Sequence, residues 1–111
     1  MGLKQKKSKV KKFDDNKWRL SDVPQKALKS VAEVFNYGAN KYGKFNYSGT
    51  IEASRLYDAC QRHLYAWNVG ENTDESGKPH LAHAIASLMM LLDGFENKTV
   101  KDDRNKIYKI K

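Results

Sequence analysis

Apolar residues recur through the middle of this chain at helical spacing. Leu28, Val31, Ala32, Phe35 and Ala39 lie at intervals that place side chains on one helical face. The spacing predicts a first helix over residues 24–40. Asp22 is the expected cap, Pro24 suits the first turn, and Gln25 completes a capping-box pattern. The opposite face carries Lys26, Lys29, Glu33, Tyr37 and Asn40. A second helix is predicted over 51–69, where Leu56, Ala59, Cys60, His63, Leu64 and Trp67 form a broad stripe and Gly70 stops the turn. A third is predicted over 79–92. Its apolar stripe is Leu81, Ala84, Ile85, Leu88 and Leu92, and Gly94 is the expected stop.

Between the helices, KYGKFNYSGT and GENTDESGKP carry the glycines and turn formers of loops. Residues 1–12 are lysine-rich and low in complexity, which predicts a flexible, disordered basic arm. Phe13 and Trp18 are expected to anchor the next few residues. Residues 96–111 form a basic C-terminal tail, and alternation over 107–110 suggests an edge strand or a docked extension. The resulting expectation is an all-α fold: a small antiparallel bundle of three main helices over residues 13–95, with the helices between 23 and 95.

A chain of 111 residues fits one domain. The net charge of +8 invites a nucleic-acid reading. Its distribution argues for less. Seven lysines fall within the first seventeen residues, and four more with Arg104 follow from Lys101 onward. The excess belongs to the ends, so the expected effect is a weak, salt-sensitive nucleic-acid contact through the N-terminus. The single cysteine, Cys60, excludes an intrachain disulfide and a cysteine-rich zinc site, and its helical position predicts burial. No apolar run is long enough for a membrane span, and the basic start lacks the apolar core of a secretory signal. A soluble cytoplasmic protein is expected.

All three histidines lie on the second and third helices, around one acidic loop. His80 and His83 are spaced to share a face. The short loop predicts antiparallel packing, so His63, Glu71, Asp74, His80 and His83 would converge. Imidazoles and carboxylates are ordinary ligands for a divalent metal. The N-terminus of the third helix favours neutral imidazole and attracts phosphate oxygens. Lys41, Arg55 and Arg62 would add charge-assisted bonds to phosphates. Tyr37, Tyr42 and Asn46 lie in a segment able to stack on and bond a base. Glu33 is a further candidate ligand, with a surface ion pair as its alternative. Packing and capping histidines beside solvated loop acids remain the alternative to a site.

These residues carry a family resemblance. Pro24, Ala27, Leu28, Val31 and Val34 open the pattern, followed by Tyr-Gly-Ala-x-Lys-Tyr-Gly from Tyr37 and by Asn46. Arg-His-Leu-x-Ala-Trp begins at Arg62, and Gly-Glu-x-x-Asp-x-Ser-Gly-x-x-His-Leu-x-His-Ala begins at Gly70. The stretch resembles small phage and prophage dATP/dGTP diphosphohydrolases. The resemblance implies hydrolysis of a purine deoxynucleoside triphosphate to monophosphate and pyrophosphate in phage nucleotide metabolism, in the host cytoplasm. It implies Mn²⁺ or Mg²⁺ as cofactor, the nucleotide as partner and, by analogy with MazG-type all-α pyrophosphatases, a homo-oligomer. Those enzymes use a Glu-Glu-x-x-Glu then Glu-x-x-Asp pattern. Here His80-Leu81-Ala82-His83 stands where the second block is expected, and His63 stands near the first. Histidine in place of carboxylate shifts the expected metal toward Mn²⁺. The alternative to an enzyme is a phage-encoded binding protein directed at a host protein or nucleic acid.

Overall fold

Two short strands fix the ends of an antiparallel helix pair, and the rest of the fold builds on that pair. The computed structural model describes residues 16–108. Helix α1 spans Gln25–Tyr42, α2 spans Ala53–Asn68 and α3 spans His80–Asn97. The fold is a small all-α bundle. Strand β1 (Ile51–Glu52) leads directly into α2, and β2 (Val100–Lys101) follows α3. The strands pair in parallel, Ile51 against Val100 and Glu52 against Lys101. One helix leaves from this ladder and the other returns to it, so α2 and α3 run antiparallel.

The start of α2 is capped from a distance. Its own N-cap residue, Glu52, makes no capping bond. Instead the Ser54 amide donates to Asp103 Oδ1 at 2.9 Å, and the Ser54 hydroxyl donates to Asp103 Oδ2 at 2.5 Å. A helix N-terminus leaves amide groups without partners, and this carboxylate satisfies one of them. The Ser54 bonds hold the Asp103 carboxyl below its ordinary pKa.

Helix α1 packs on α3 through Val31, Val34, Ala82 and Ala86, with Phe35 against them. Ala53, Leu56 and Cys60 of α2 are buried, as are Ala84 and Ser87 of α3. Burial pushes the Cys60 thiol up, as expected of a packed rather than a reactive cysteine. The core face of α3 therefore differs from the predicted one. Its small residues point inward, while Leu81, Ile85, Leu88 and Leu92 are 39–66% exposed. Small side chains let neighbouring helices approach closely, and here that approach selects the buried face.

Four further expectations change. Gly94 does not stop α3, which continues to Asn97 and ends at Lys98 in the left-handed conformation. A Cβ at Gly94 would lie 2.0 Å from Val100 Cγ2, so the glycine admits β2. Asp22 does not cap α1. It pairs with Arg19 at 2.9 Å, while Gln25 Nε2 donates to the Leu20 and Val23 carbonyls. Those local bonds close the turn before α1 without an aromatic anchor, and Trp18 is 88% exposed. Phe13, the basic arm over 1–12 and residues 109–111 lie outside the described residues. Within the described part of the alternating stretch, Lys106–Tyr108 is a single 3-10 turn rather than a strand. Among the described residues, no helix is long and apolar enough to cross a membrane.

Gly94→Ala isolates the contact with Val100. Helix propensity alone favours alanine by about 1 kcal/mol. Overpacking costs about 1–3 kcal/mol. The variant is expected to melt below wild type, and Gly94→Ala with Val100→Ala to recover most of the loss. A single variant that melts above wild type would show that β2 does not depend on this approach.

Candidate functional site

The loop between α2 and α3 is locked by its own backbone. Gly70 turns with φ +104° and Gly77 with φ +79°, conformations glycine adopts without a side-chain penalty. The Asp74 amide donates to the Lys78 carbonyl at 3.1 Å, and the Gly77 amide donates to Asp74 at 2.9 Å. The His80 amide donates to the Asn72 carbonyl at 2.9 Å, which sets the start of α3. Asp74 is thereby presented from a fixed turn to both helices.

On α3, His80 is 5% exposed and faces α2. Its Nδ1 lies 2.8 Å from His63 Nδ1, and its Nε2 lies 2.9 Å from Glu71 Oε1. These bonds assign the protons. Carboxylate Glu71 can only accept, so His80 Nε2–H donates to it. With His80 neutral, its Nδ1 accepts and His63 Nδ1–H donates. The free lone pair of His63 is left on Nε2. Burial lowers the pKa of His63 first, and the neighbouring His83 and His80 lower it further, so its neutral form is favoured.

His83 stacks on His63, with ring centroids 4.6 Å apart and planes 10° from parallel. His83 Nε2 lies 3.1 Å from Asp74 Oδ2 and 3.0 Å from Ser76 Oγ. Ser76 also donates its hydroxyl and its amide to Asp74 Oδ1. Burial raises the Asp74 pKa, but the two Ser76 bonds outweigh it, and the net shift is downward. Asp74 is held as a carboxylate. Ligand atoms of His63, Asp74 and His83 lie within 4.8 Å of one another, the one such group among the described residues.

This donor set fits a divalent cation. Two imidazoles and one ionised carboxylate suit a borderline transition ion such as Mn²⁺ better than Mg²⁺, which prefers oxygen. Such an ion would take the place of the proton between His83 and Asp74.

The group lies on the wall of a cleft of about 1080 Å³. Tyr37, Lys41, Tyr42 and Asn46 line it from α1 and the following loop. Arg55 and Arg62 line it from α2. Helix α1 runs two residues past its predicted end, which sets Lys41 Nζ 5.8 Å from the Tyr37 ring centre and 5.2 Å from that of Tyr42. Interaction with the Tyr42 hydroxyl, and then with Tyr37, raises the Lys41 pKa.

Nine of the candidate residues thus share one cleft, and three do not border it. Glu71 and His80 stand behind His63, and Glu33 pairs with Lys29 at 3.8 Å. Glu33 projects from the polar face of α1 and is absent from the cation-binding group. Ser76, Asp58 and Ser87 line the cleft without having been named as site residues from sequence. The Asp74-x-Ser76 spacing, a common turn signature, was the available signal for Ser76.

Nuclear magnetic resonance titration tests the proton assignment. His63 is expected to titrate below the ordinary histidine value of about 6.5. The unfolded chain then binds this proton first as pH falls, so the stability contributed by neutral His63 is complete above about pH 6.5 and declines as pH falls through its folded pKa. Titration at or above the ordinary value contradicts the assignment.

Comparison with known proteins matches residues 7–104 to the family model for dATP/dGTP diphosphohydrolase, N-terminal. A dATP/dGTP diphosphohydrolase of Salmonella phage PMBT28 is 37% identical over 94 residues, which is 84% of this chain and 32% of the relative. The chain therefore spans about a third of that protein's length. No solved structure matches.

Proposed function

The chain belongs to the dATP/dGTP diphosphohydrolase N-terminal family, and from that premise we propose that its cleft hydrolyses a purine deoxynucleoside triphosphate to monophosphate and pyrophosphate. The observation that carries this reading is the gathering of His63, Asp74 and His83 beside a cleft lined by Lys41, Arg55 and Arg62. A nucleotide pool in phage-infected host cytoplasm is the proposed setting, in keeping with the phage relative.

His63, Asp74 and His83 would hold the cation. A bound divalent ion supplies Lewis-acid neutralisation of phosphate charge and makes water more acidic. Lys41, Arg55 and Arg62 draw the polyphosphate toward that wall and orient it by charge-assisted bonds. Tyr37, Tyr42 and Asn46 offer ring faces and amide groups to the base. Glu71 and His80 do not touch substrate in this scheme. Through their bonded chain they keep the His63 proton on Nδ1 and its lone pair on Nε2, the way a carboxylate orients a ligating histidine.

Pyrophosphate release from dGTP and dATP with Mn²⁺, Co²⁺ or Mg²⁺ tests the proposal. Asp74→Asn and His83→Ala are expected to lose at least about 100-fold in kcat/KM while keeping their helix content. Arg62→Ala is expected to raise KM about tenfold, the size of one lost charged hydrogen bond. Glu71→Gln is expected to weaken Mn²⁺ binding about 10–100-fold. Wild-type turnover in Asp74→Asn and His83→Ala would refute the assignment. So would failure of wild type to release pyrophosphate from any nucleotide with any of the three metals.

A further inference from the structure

The loop between α1 and β1 carries a backbone outlier on the wall of the cleft. Phe45 has φ +61° and ψ +21°, a left-handed conformation that a bulky side chain rarely adopts. Asparagine tolerates it better, yet Asn46 stands one position further on. Two bonds hold Phe45 in place. The Ser48 amide and the Ser48 hydroxyl both donate to its carbonyl, at 3.0 Å and 2.7 Å. Outliers held in this way gather where a side chain is presented to a ligand. The ring presented here is 64% exposed and lines the cleft, with Lys44 Nζ 5.9 Å from its centre.

Asn46 ties its backbone into the same turn. Its amide donates to the Gly43 carbonyl at 3.2 Å, and its carbonyl accepts from the Gly49 amide at 3.3 Å. Its carboxamide borders the cleft and makes no hydrogen bond among the described residues. This loop and the His63 group stand at different ends of the cleft. The loop leads through β1 into the start of α2, where Arg55 lies in the first turn. His63 is about 12 Å further along that helix, a span longer than a triphosphate alone. A nucleotide with its phosphates near His63 therefore extends its base toward the loop.

We infer that Phe45 and Asn46 together read the base: the Phe45 ring stacks on it, and the Asn46 carboxamide turns over to bond either purine. The inference rests on the reading of the cleft as a nucleotide site. Adenine and guanine present opposite patterns on their Watson–Crick edges. Adenine offers N6–H as donor and N1 as acceptor, and guanine offers N1–H as donor and O6 as acceptor. A carboxamide has one donor end and one acceptor end, and its terminal torsion has two wells half a turn apart. One rotamer bonds adenine, and the other bonds guanine. Cytosine and thymine repeat the two patterns, so the amide alone does not exclude them. Their single ring offers less area to Phe45, and it ends short of Asn46 when the phosphates are held at the far end. Stacking and reach thus select purines, and the amide rotation accepts both.

Isothermal titration of the full chain with dGMP, dAMP and dCMP in Mn²⁺ tests this without requiring turnover. Wild type is expected to bind both purine nucleotides at least about tenfold more tightly than dCMP. Asn46→Asp removes the donor end. Guanine still offers N1–H and N2–H to the carboxylate, whereas adenine N1 meets it lone pair to lone pair. The ratio of dGMP to dAMP affinity is expected to rise at least about tenfold in this variant. Phe45→Ala is expected to weaken both purine nucleotides about 10–100-fold at unchanged helix content, and Phe45→Trp to retain them. Phe45→Gly suits the left-handed backbone, so it separates the ring from the turn; it is expected to lose binding as alanine does. An unchanged ratio in Asn46→Asp, full purine binding in Phe45→Gly, or a wild type with no preference for purines overturns the inference. Pyrophosphate release from dGTP and dATP is scored separately. Turnover by wild type with none of these shifts overturns this inference alone, and the shifts without turnover overturn only the hydrolytic reading.

Discussion

Two imidazole nitrogens 2.8 Å apart, one on α2 and one on α3, can share a single proton. That constraint runs through the whole arrangement. One ring donates and the other accepts, and with His80 neutral and donating to Glu71, His63 is the donor. The direction of the chain from Glu71 through His80 to His63 then leaves His63 Nε2 unprotonated. The contact requires the two helices to be close, which is why alanines and serine are buried on α3 rather than leucines. It also requires fixed axial register. The β1–β2 ladder and the Ser54–Asp103 bonds hold one end of the pair, and the locked acidic loop holds the other.

The helical frame was legible because periodicity reports which residues share a face. It does not report which face is buried when two candidate faces compete. On α3 hydropathy favours the leucines, but the close approach to α1 and α2 favours Ala82, Ala84, Ala86 and Ser87. Gly94 misled for a related reason. A glycine in a helical pattern reads as a stop, whereas here it admits Val100, a neighbour supplied by chain folding back through β2.

The candidate site divides in the same way. Spacing brought His63, Asp74 and His83 to one loop region, since loop length and helix direction decide that proximity. Spacing could not separate those three from Glu71 and His80, because the difference lies in side-chain orientation and proton placement. His80 and His83 share a predicted face but meet different partners. One turns to Glu71 and His63, and the other turns to Asp74 and Ser76. Glu33, one turn before Tyr37 on the polar face of α1, pairs with Lys29. The groups proposed to hold a cation all lie between positions 63 and 83, within a segment about a third the length of the phage relative. The exposed leucines lie on the side of α3 opposite His83.

The central claim is that His63, Asp74 and His83 form the metal centre while Glu71 and His80 orient it. Anomalous diffraction at the manganese edge from crystals soaked in Mn²⁺ tests this most directly. The account predicts a peak bounded by His63, Asp74 and His83, with the His63–His80 and His80–Glu71 bonds retained. A peak coordinated by Glu71 or His80 instead, or no peak in this cleft at saturating Mn²⁺, contradicts it.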